Sequence, residues 1–244
     1  MNGANRTFTD KPVALVSYEN FGEAYATAIE KNGYNALFER PSTLALLPDL
    51  KGKKVLDAGC GPGAYTGLLL ERQAIVTGID VSPSMLKIAK EKFGAEAKYI
   101  LHDLGQPLKM FQAGQFDFIL SSLMIHYIND LNALFAEFNR ILSPGDRIVL
   151  STHHPMMDFN ESVNQLYYQK ELLSQDWTVT GQPVKVHFYR RPLSEVTQAF
   201  TSNGFVIERM TEGTVGPELK KTYPHIADRL SKKPQFLFFR LLKV

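Results

Sequence analysis

Apolar and polar residues follow two alternating rhythms along the middle of the chain. Short apolar runs rich in β-branched residues take turns with stretches whose apolar residues recur at helical spacing. The predicted strands are Lys54–Asp57, Ile75–Asp80, Ala97–Leu101, Phe116–Ser121 and Arg147–Thr152. The predicted helices between them are Ala64–Arg72, Pro83–Phe93 and Leu131–Leu142. This order indicates right-handed βαβ units, and therefore an α/β domain whose largely parallel sheet is covered by helices on both faces.

Other patterns flank this core. Between Tyr18 and Leu47 the apolar spacing is helical with a break at Pro41, so we expect residues 1–48 to form a helical lid. Residues 49–244 would form the main domain, and the loss of periodicity over residues 155–183 predicts an irregular or short-helical insertion in it. The elements predicted after the insertion are the strand Val184–Tyr189, the helix Ser194–Asn203, and the strands Phe205–Met210 and Gln235–Lys243.

The composition narrows the class of protein. The chain has 244 residues, of which 44% are hydrophobic and 21% are charged, as is typical of a soluble globular protein. Lys and Arg number 27 against 25 Asp and Glu, so the net charge is +2 and we expect neither a nucleic-acid partner nor attraction to a membrane. The first twelve residues lack the apolar core of a signal peptide, no apolar run is long enough to cross a membrane, and Cys60 is the single cysteine. We therefore expect a cytoplasmic protein that acts on a small molecule.

A dense group of glycines follows the first predicted strand. The segment reads Val55-Leu56-Asp57-Ala58-Gly59-Cys60-Gly61-Pro62-Gly63 and leads directly into a predicted helix. Glycines let the backbone come close to a ligand, and the first N–H groups of the following helix are free to bind it. Taken alone, the glycines are equally well explained by a tight turn between strand and helix.

Acidic residues end the next two strands and favour a ligand. Asp80 lies 80 − 59 = 21 positions after the first glycine, near the spacing of about 20 expected for a carboxylate that binds ribose hydroxyls. Asp103 follows the third strand, where an adenine would lie. The glycine pattern, with Ala64 as its last residue, also fits a dinucleotide. Asp57, however, would repel a pyrophosphate and attract an ammonium group, which favours an adenosyl amino acid.

These residues closely resemble the class I S-adenosylmethionine-dependent methyltransferases, in particular the bacterial type 11 methyltransferase-domain branch. The glycine-rich segment is similar to the first motif of the family, and Asp80 and Asp103 match its second and third acidic positions. The resemblance extends over residues 50–153 and includes Phe116–Leu123, His126-Tyr127 and Arg140–Gly145. It implies a Rossmann-like, seven-stranded, mostly parallel sheet whose last strand is antiparallel, and S-adenosylmethionine as the cofactor.

The resemblance also implies which residues surround the cofactor. Its glycines would pack against the methionyl part, Asp57 would face the ammonium group, Asp80 the ribose, and Asp103 and Leu104 the adenine. Tyr65 and Met85 fit packing roles equally well. The full set expected around the cofactor is Asp57, Gly59, Cys60, Gly61, Gly63, Tyr65, Asp80, Val81, Met85, Asp103, Leu104 and Ser121. We expect no metal, because no cluster of His, Cys and Asp shows metal-ligand spacing.

Three histidines are candidates for catalysis. Methyl transfer is an in-line displacement, so it mainly requires that the nucleophile is aligned within about 3–3.5 Å and that water is excluded. A hydroxyl or protonated amine must also lose a proton, and histidine titrates in the right range. His154 matches the histidine of a His-Pro pair in the resembling branch and is the first candidate base; His153 is the reserve and His126 the third candidate. A structural role is the alternative for each.

Aromatic residues recur in the predicted lid and in the insertion. They are Tyr18, Phe21, Tyr25, Tyr167, Tyr168 and Trp177. Together they suggest a cover over an apolar or aromatic small molecule. Our hypothesis is methyl transfer to O, N or C of such an acceptor. An RNA or protein methyltransferase, a nicotinamide-dependent oxidoreductase and a cofactor-binding protein without catalysis stay open as alternatives.

Overall fold

The computed structural model describes residues 11–18, 22–178, 181 and 183–244. Its strands are β1 (Lys54–Ala58), β2 (Ile75–Asp80), β3 (Lys98–Leu101), β4 (Phe116–Ser122), β5 (Leu142–His153), β6 (Glu171–Trp177), β7 (Val184–Arg190), β8 (Phe205–Thr211) and β9 (Phe236–Lys243). Seven of them form one sheet in the order β3-β2-β1-β4-β5-β9-β8. The first five strands pair in parallel, whereas β9 is antiparallel to both of its neighbours. The predicted fold class is confirmed.

Helices surround the sheet, and two of the long ones begin directly after a residue whose side chain caps the helix. They are α1 (Val13–Tyr18), α2 (Gly22–Ile29), α3 (Arg40–Leu44), α4 (Ala64–Glu71), α5 (Pro83–Phe93), α6 (Leu131–Ile141), α7 (Pro155–Phe159), α8 (Leu193–Thr201), α9 (Pro217–Thr222) and α10 (Pro224–Lys232). A π-helical turn spans Asn35–Glu39, and two 3₁₀ turns span Gly94–Glu96 and Ile125–Tyr127. Ser82 caps α5 by accepting the Met85 N–H, and Asp130 caps α6 by accepting the Ala133 N–H.

Alternating residues of the strands pack into two separate hydrophobic cores, one on each face of the sheet. In β9, Leu237, Phe239 and Leu241 point to the face that α6 and α8 cover. Phe236 and Phe238 point to the opposite face, which α4, α9, α10 and the π-helical turn cover. Because both faces of the sheet are buried, the sequences of the strands are nearly continuous apolar runs. The helices cover the faces of the sheet and not its edge at the carboxyl ends of the parallel strands, where a site can form.

The region after the main parallel strands differs from the prediction at the insertion and between β8 and β9, where α9 and α10 occupy a segment in which no element was predicted. The predicted irregular insertion begins with the short helix α7 but also contains β6, which pairs in antiparallel register with β7 as a separate two-stranded sheet. In β6 only Leu173 is buried, so the strand lacks the apolar alternation by which a strand is recognised. Leu173 packs with Val186 and Phe188 of β7 in a small third core.

The N-terminal segment is helical, as predicted. Helix α1 packs against β7, and α2 packs against α5. Phe21 and the side chains of Tyr18 and Tyr25, which were expected to contact the substrate, lie outside the described residues. Within the described part of the chain, no helix has the length and apolar character needed to cross a membrane.

Candidate active site

A cavity of about 460 Å³ lies beyond the carboxyl ends of the parallel strands. Residues that follow β1, β2, β3 and β4 line it, which is the position expected for a ligand of an open α/β sheet. Tyr127, Ile128 and Tyr189 form another part of the wall. The N-terminal segment closes the cavity with Lys11, Pro12, Val13, Ala14, Ile29, Asn35, Glu39 and Arg40. Four strand ends and the N-terminal segment thus meet around one ligand-sized space.

Most of the residues predicted to surround the cofactor line this cavity. They are Gly59, Cys60, Gly61, Tyr65, Asp80, Val81, Met85, Asp103 and Leu104. Asp57, Gly63 and Ser121 do not line the cavity, and Asp57 and Ser121 are buried. The structure therefore brings nine of the twelve residues together.

The glycine-rich loop approaches its surroundings closely. Gly59 has a φ of +82°, and a Cβ atom built there would lie 2.5 Å from Cγ of Met124, so only glycine fits. Gly61 has a φ of +53°, and a Cβ atom there would have no other atom within 4 Å. Because Gly61 lines the cavity, its open side faces the space in which a ligand would lie.

Asp80 joins the loop to the second strand. Its Oδ2 atom accepts the Gly61 N–H at 2.9 Å, and its Oδ1 atom accepts the Ser82 N–H at 2.8 Å. Burial raises the pKa of Asp80, and its backbone hydrogen bonds to Ser82, Gly61 and Val81 oppose that rise. Each carboxylate oxygen can accept a further hydrogen bond, so the geometry suits both loop positioning and binding of ribose hydroxyls.

Asp57 lies beneath the loop rather than in the cavity wall. It is 1% exposed, and its Oδ2 atom accepts a hydrogen bond from Oγ1 of Thr66 at 2.9 Å. Burial raises its pKa to about 7, against the effect of the Thr66 hydrogen bond, and the nearby charge of Asp80 raises it further. The contact with the cofactor's ammonium group that was predicted for Asp57 stays a prediction, and this geometry does not favour it.

Glu39 is a cavity residue that sequence reasoning missed. It is 2% exposed and lies at the end of the π-helical turn, with its carboxylate among four hydroxyl groups. The available signal was an acid directly after Leu37 and Phe38 in a run of apolar residues at helical spacing. That signal is weak, because the partners of Glu39 are distant along the chain.

Two of the candidate catalytic histidines form a buried stack beside the cavity. The ring centroids of His126 and His153 are 3.9 Å apart. His126 Nδ1 lies 3.3 Å from Thr152 Oγ1, and His153 Nδ1 lies 3.4 Å from Asp158 Oδ1. Burial, with the nearby charges of His153 and Arg191, holds the pKa of His126 well below its usual range. Neither ring lines the main cavity, whereas His102, after β3, does.

The first candidate, His154, does not line the cavity either. Its Nδ1 atom accepts the Met156 N–H at 3.1 Å, which caps helix α7, and its Nε2 atom lies 3.0 Å from Glu212 Oε1. A base must reach the proton that it removes, directly or through one water molecule. The geometry thus favours a capping role over the predicted role as a base.

A substitution separates these two roles. We expect His154→Ala to lower the free energy of unfolding by about 1 kcal/mol, the scale of a lost N-cap, with turnover close to that of the wild type. Urea unfolding and turnover of an acceptor would be measured in parallel, with His225→Ala as a control on an exposed histidine. A loss of turnover of about 10²- to 10⁴-fold would instead support the role as a base.

Comparison with known proteins connects this site to a family. A family model described as a methyltransferase domain, of the type 11 group, matches residues 56–150. An uncharacterized protein of Haemophilus influenzae is 30% identical over 95% of this chain and 98% of its own length. A crystal structure from Listeria monocytogenes, assigned to the S-adenosylmethionine-dependent methyltransferases, has a TM-score of 0.73 and 25% identity, covering 84% of this chain and 96% of that one. The chain is a class I S-adenosylmethionine-dependent methyltransferase.

The methyltransferase also resembles a relative with a named activity. A malonyl-[acyl-carrier protein] O-methyltransferase of Legionella pneumophila is 31% identical over 52% of this chain, but the chain spans only 44% of that protein. S-adenosylmethionine is the cofactor of the family, so the nicotinamide alternative no longer applies. Among the described residues, no group of three or more His, Cys, Asp or Glu side chains is placed to hold a metal ion.

Proposed function

We propose that this methyltransferase transfers the methyl group to an O, N or C atom of a small molecule of apolar or aromatic character. The observation that carries the proposal is the composition of the cavity wall beyond the cofactor-binding loops. There the wall contains Val13, Leu123, Tyr127, Ile128 and Tyr189. These residues come from three separate segments, so the acceptor's space is enclosed rather than presented on a flat surface.

The aromatic part of this wall differs from the one predicted. Tyr168 is 84% exposed, Tyr167 accepts the Leu193 N–H with its hydroxyl, and Trp177 packs on the small third core. Tyr127 and Tyr189 line the cavity in their place. We still propose an apolar or aromatic acceptor, and the residues that support it are now Tyr127 and Tyr189.

Methyl transfer requires little acid–base catalysis by the protein. The acceptor atom attacks the methyl carbon, the bond from that carbon to sulfur breaks, and S-adenosylhomocysteine leaves. The chain's part is to hold the two molecules in line and to exclude water. A hydroxyl or ammonium acceptor also loses a proton, for which His154, His153 and His126 remain untested candidates.

We further propose that residues 1–48 act as a lid on the domain formed by residues 49–244. Support comes from the N-terminal residues in the cavity wall and from the packing of α1 against β7, which follows the insertion. We place the reaction in the cytoplasm and without a nucleic-acid partner. The single cysteine, which is buried and free, and the net charge of +2 support this proposal.

A product-detecting screen tests the proposed acceptor class. The enzyme would be incubated with isotope-labelled S-adenosylmethionine and a cell extract that has been separated into small-molecule, RNA and protein fractions. A chelator would be present, and Asp80→Ala would be the control with weakened cofactor binding. We expect the label in a small apolar or aromatic product and one S-adenosylhomocysteine per methyl group transferred. Label only in the RNA or protein fraction would support the macromolecular alternative instead.

A further inference from the structure

The Glu39 carboxylate is held by hydroxyl groups from four different elements. Its Oε1 atom accepts hydrogen bonds from Thr43 at 2.8 Å, Ser122 at 2.9 Å and Ser151 at 2.6 Å. Its Oε2 atom accepts one from Tyr65 at 2.8 Å. These bonds connect the N-terminal segment to α4, β4 and β5. They fix the position of the carboxylate of this cavity-lining residue.

The negative charge of Glu39 has no cationic partner within the described chain. Its hydrogen-bond donors are neutral hydroxyl groups, and no Lys, Arg or His among the described residues lies within 4.0 Å of its carboxylate. A buried charge is costly unless an opposite charge pairs with it. Because Glu39 lines the cavity, a bound ligand is able to bring that charge.

The hydrogen-bond pattern indicates where such a cation would lie. Oε1 already accepts three hydrogen bonds, whereas Oε2 accepts one and keeps an acceptor position. The donor to Oε2 is Tyr65, which comes two residues after the last glycine of the loop. The partners of Glu39 thus come from α4, which follows β1, and from β4 and β5, whereas Asp103 follows β3 at the other edge of the parallel strands.

The next residue distinguishes a zwitterion from a simple cation. Arg40 also lines the cavity; its Nη2 atom donates to the Ile29 carbonyl at 3.3 Å, while its Nε atom is buried without a hydrogen-bond partner in the described chain. A cationic acceptor would be repelled by this guanidinium. The amino-acid group of the cofactor carries both an ammonium and a carboxylate, so it matches the two neighbouring charges.

We propose that Glu39 binds the α-ammonium group of S-adenosylmethionine through Oε2. The role predicted for Asp57 would thus belong to a residue of the N-terminal segment, outside the matched methyltransferase domain at residues 56–150. The N-terminal segment would then close over the cavity when the methionyl group of the cofactor binds to it. The proposal rests on the cofactor and is independent of the acceptor.

Binding of two ligands to the full-length protein tests the proposal. Calorimetry would compare S-adenosylhomocysteine with 5′-S-(3-carboxypropyl)-5′-thioadenosine, which differs only in lacking the amino group. We expect the wild type to prefer S-adenosylhomocysteine by about 10- to 100-fold, the scale of a hydrogen bond between charged groups. In Glu39→Gln this preference should fall to within about threefold, because affinity is lost only for the ligand that carries the ammonium group.

Two variants are the controls. Thr43→Val removes one hydrogen bond to the Glu39 carboxylate and leaves Glu39 itself unchanged. Asp57→Asn removes the charge of the acid that was first predicted to face the ammonium group. Both should retain the wild-type preference, and thermal melting would confirm that each variant is folded. The proposal is overturned if Glu39→Gln weakens both ligands equally, if it binds both like the wild type, or if Asp57→Asn alone abolishes the preference. A wild type that binds the two ligands equally overturns it without any variant.

Discussion

Replacing Asp80 with alanine is expected to weaken the binding of S-adenosylmethionine by about 3 kcal/mol, roughly a hundredfold. The side chain has two roles: it lines the cavity, and its carboxylate accepts hydrogen bonds from the Gly61 and Ser82 N–H groups. Alanine would remove the ribose acceptor and release the glycine-rich loop together. The expected loss is therefore at the upper end of the range for hydrogen bonds to a charged acceptor.

A series of variants, compared by calorimetry, tests whether this loss of affinity comes from the Asp80 carboxylate. Asp80→Asn keeps one carbonyl acceptor and should lose less affinity than Asp80→Ala. Asp103→Ala, which loses the Gly105 N–H contact at 2.8 Å and the predicted adenine contact, should also weaken binding. If Asp80→Ala and Asp103→Ala both bind like the wild type, the cofactor does not occupy this cavity.

Replacing Asp57 with asparagine is expected to stabilise the cofactor-free protein at alkaline pH. In the folded protein the pKa of Asp57 is raised to about 7, while the unfolded chain has the ordinary value near 3.8. Between these values the folded state holds a proton that the unfolded state releases, so the contribution of Asp57 to stability falls as the pH rises from about 4 to about 7. Above pH 7 the fold carries a buried, ionised carboxylate. The free energy of unfolding that the wild type loses through Asp57 between pH 4 and pH 8 is at most about 4 kcal/mol.

Urea unfolding of wild type and Asp57→Asn at pH 4 to 8 measures this effect. The two proteins should have similar free energies of unfolding near pH 4, and the variant should be the more stable by a few kcal/mol at pH 8. Thr66→Val is the companion variant, because it removes the hydrogen bond that lowers the pKa of Asp57, so its stability should continue to fall to a higher pH than in the wild type. Parallel pH profiles of wild type and Asp57→Asn would show that Asp57 is ionised in the fold throughout.

The parallel core and the cofactor loops could be predicted because their signals are local. Strands buried on both faces are continuous apolar runs, and β2 (Ile75–Asp80) matches its predicted bounds. The spacing from Gly59 to Asp80 reflects one βαβ unit, and the structure joins the two ends through the Gly61 hydrogen bond. These features follow from neighbours along the chain.

The remaining features depend on contacts between distant residues. The hydroxyl partners of Glu39 include Tyr65, 26 positions away, and Ser151, 112 positions away, so no pattern near residue 39 reveals them. His154 was correctly expected after a strand, but its side chain direction is set by α7 and by Glu212. β6 was missed because its stability comes from pairing with β7. Position along the chain thus indicates which edge a residue reaches, while tertiary packing decides where its side chain points.

The most direct test of the account is a crystal structure with S-adenosylhomocysteine bound. We expect the ligand in the cavity, with its ribose hydroxyls within hydrogen-bond distance of Asp80, its adenine beside Leu104 and its ammonium group at Oε2 of Glu39. A ligand bound outside this cavity, or bound in reverse with its adenine against Glu39, would contradict the account.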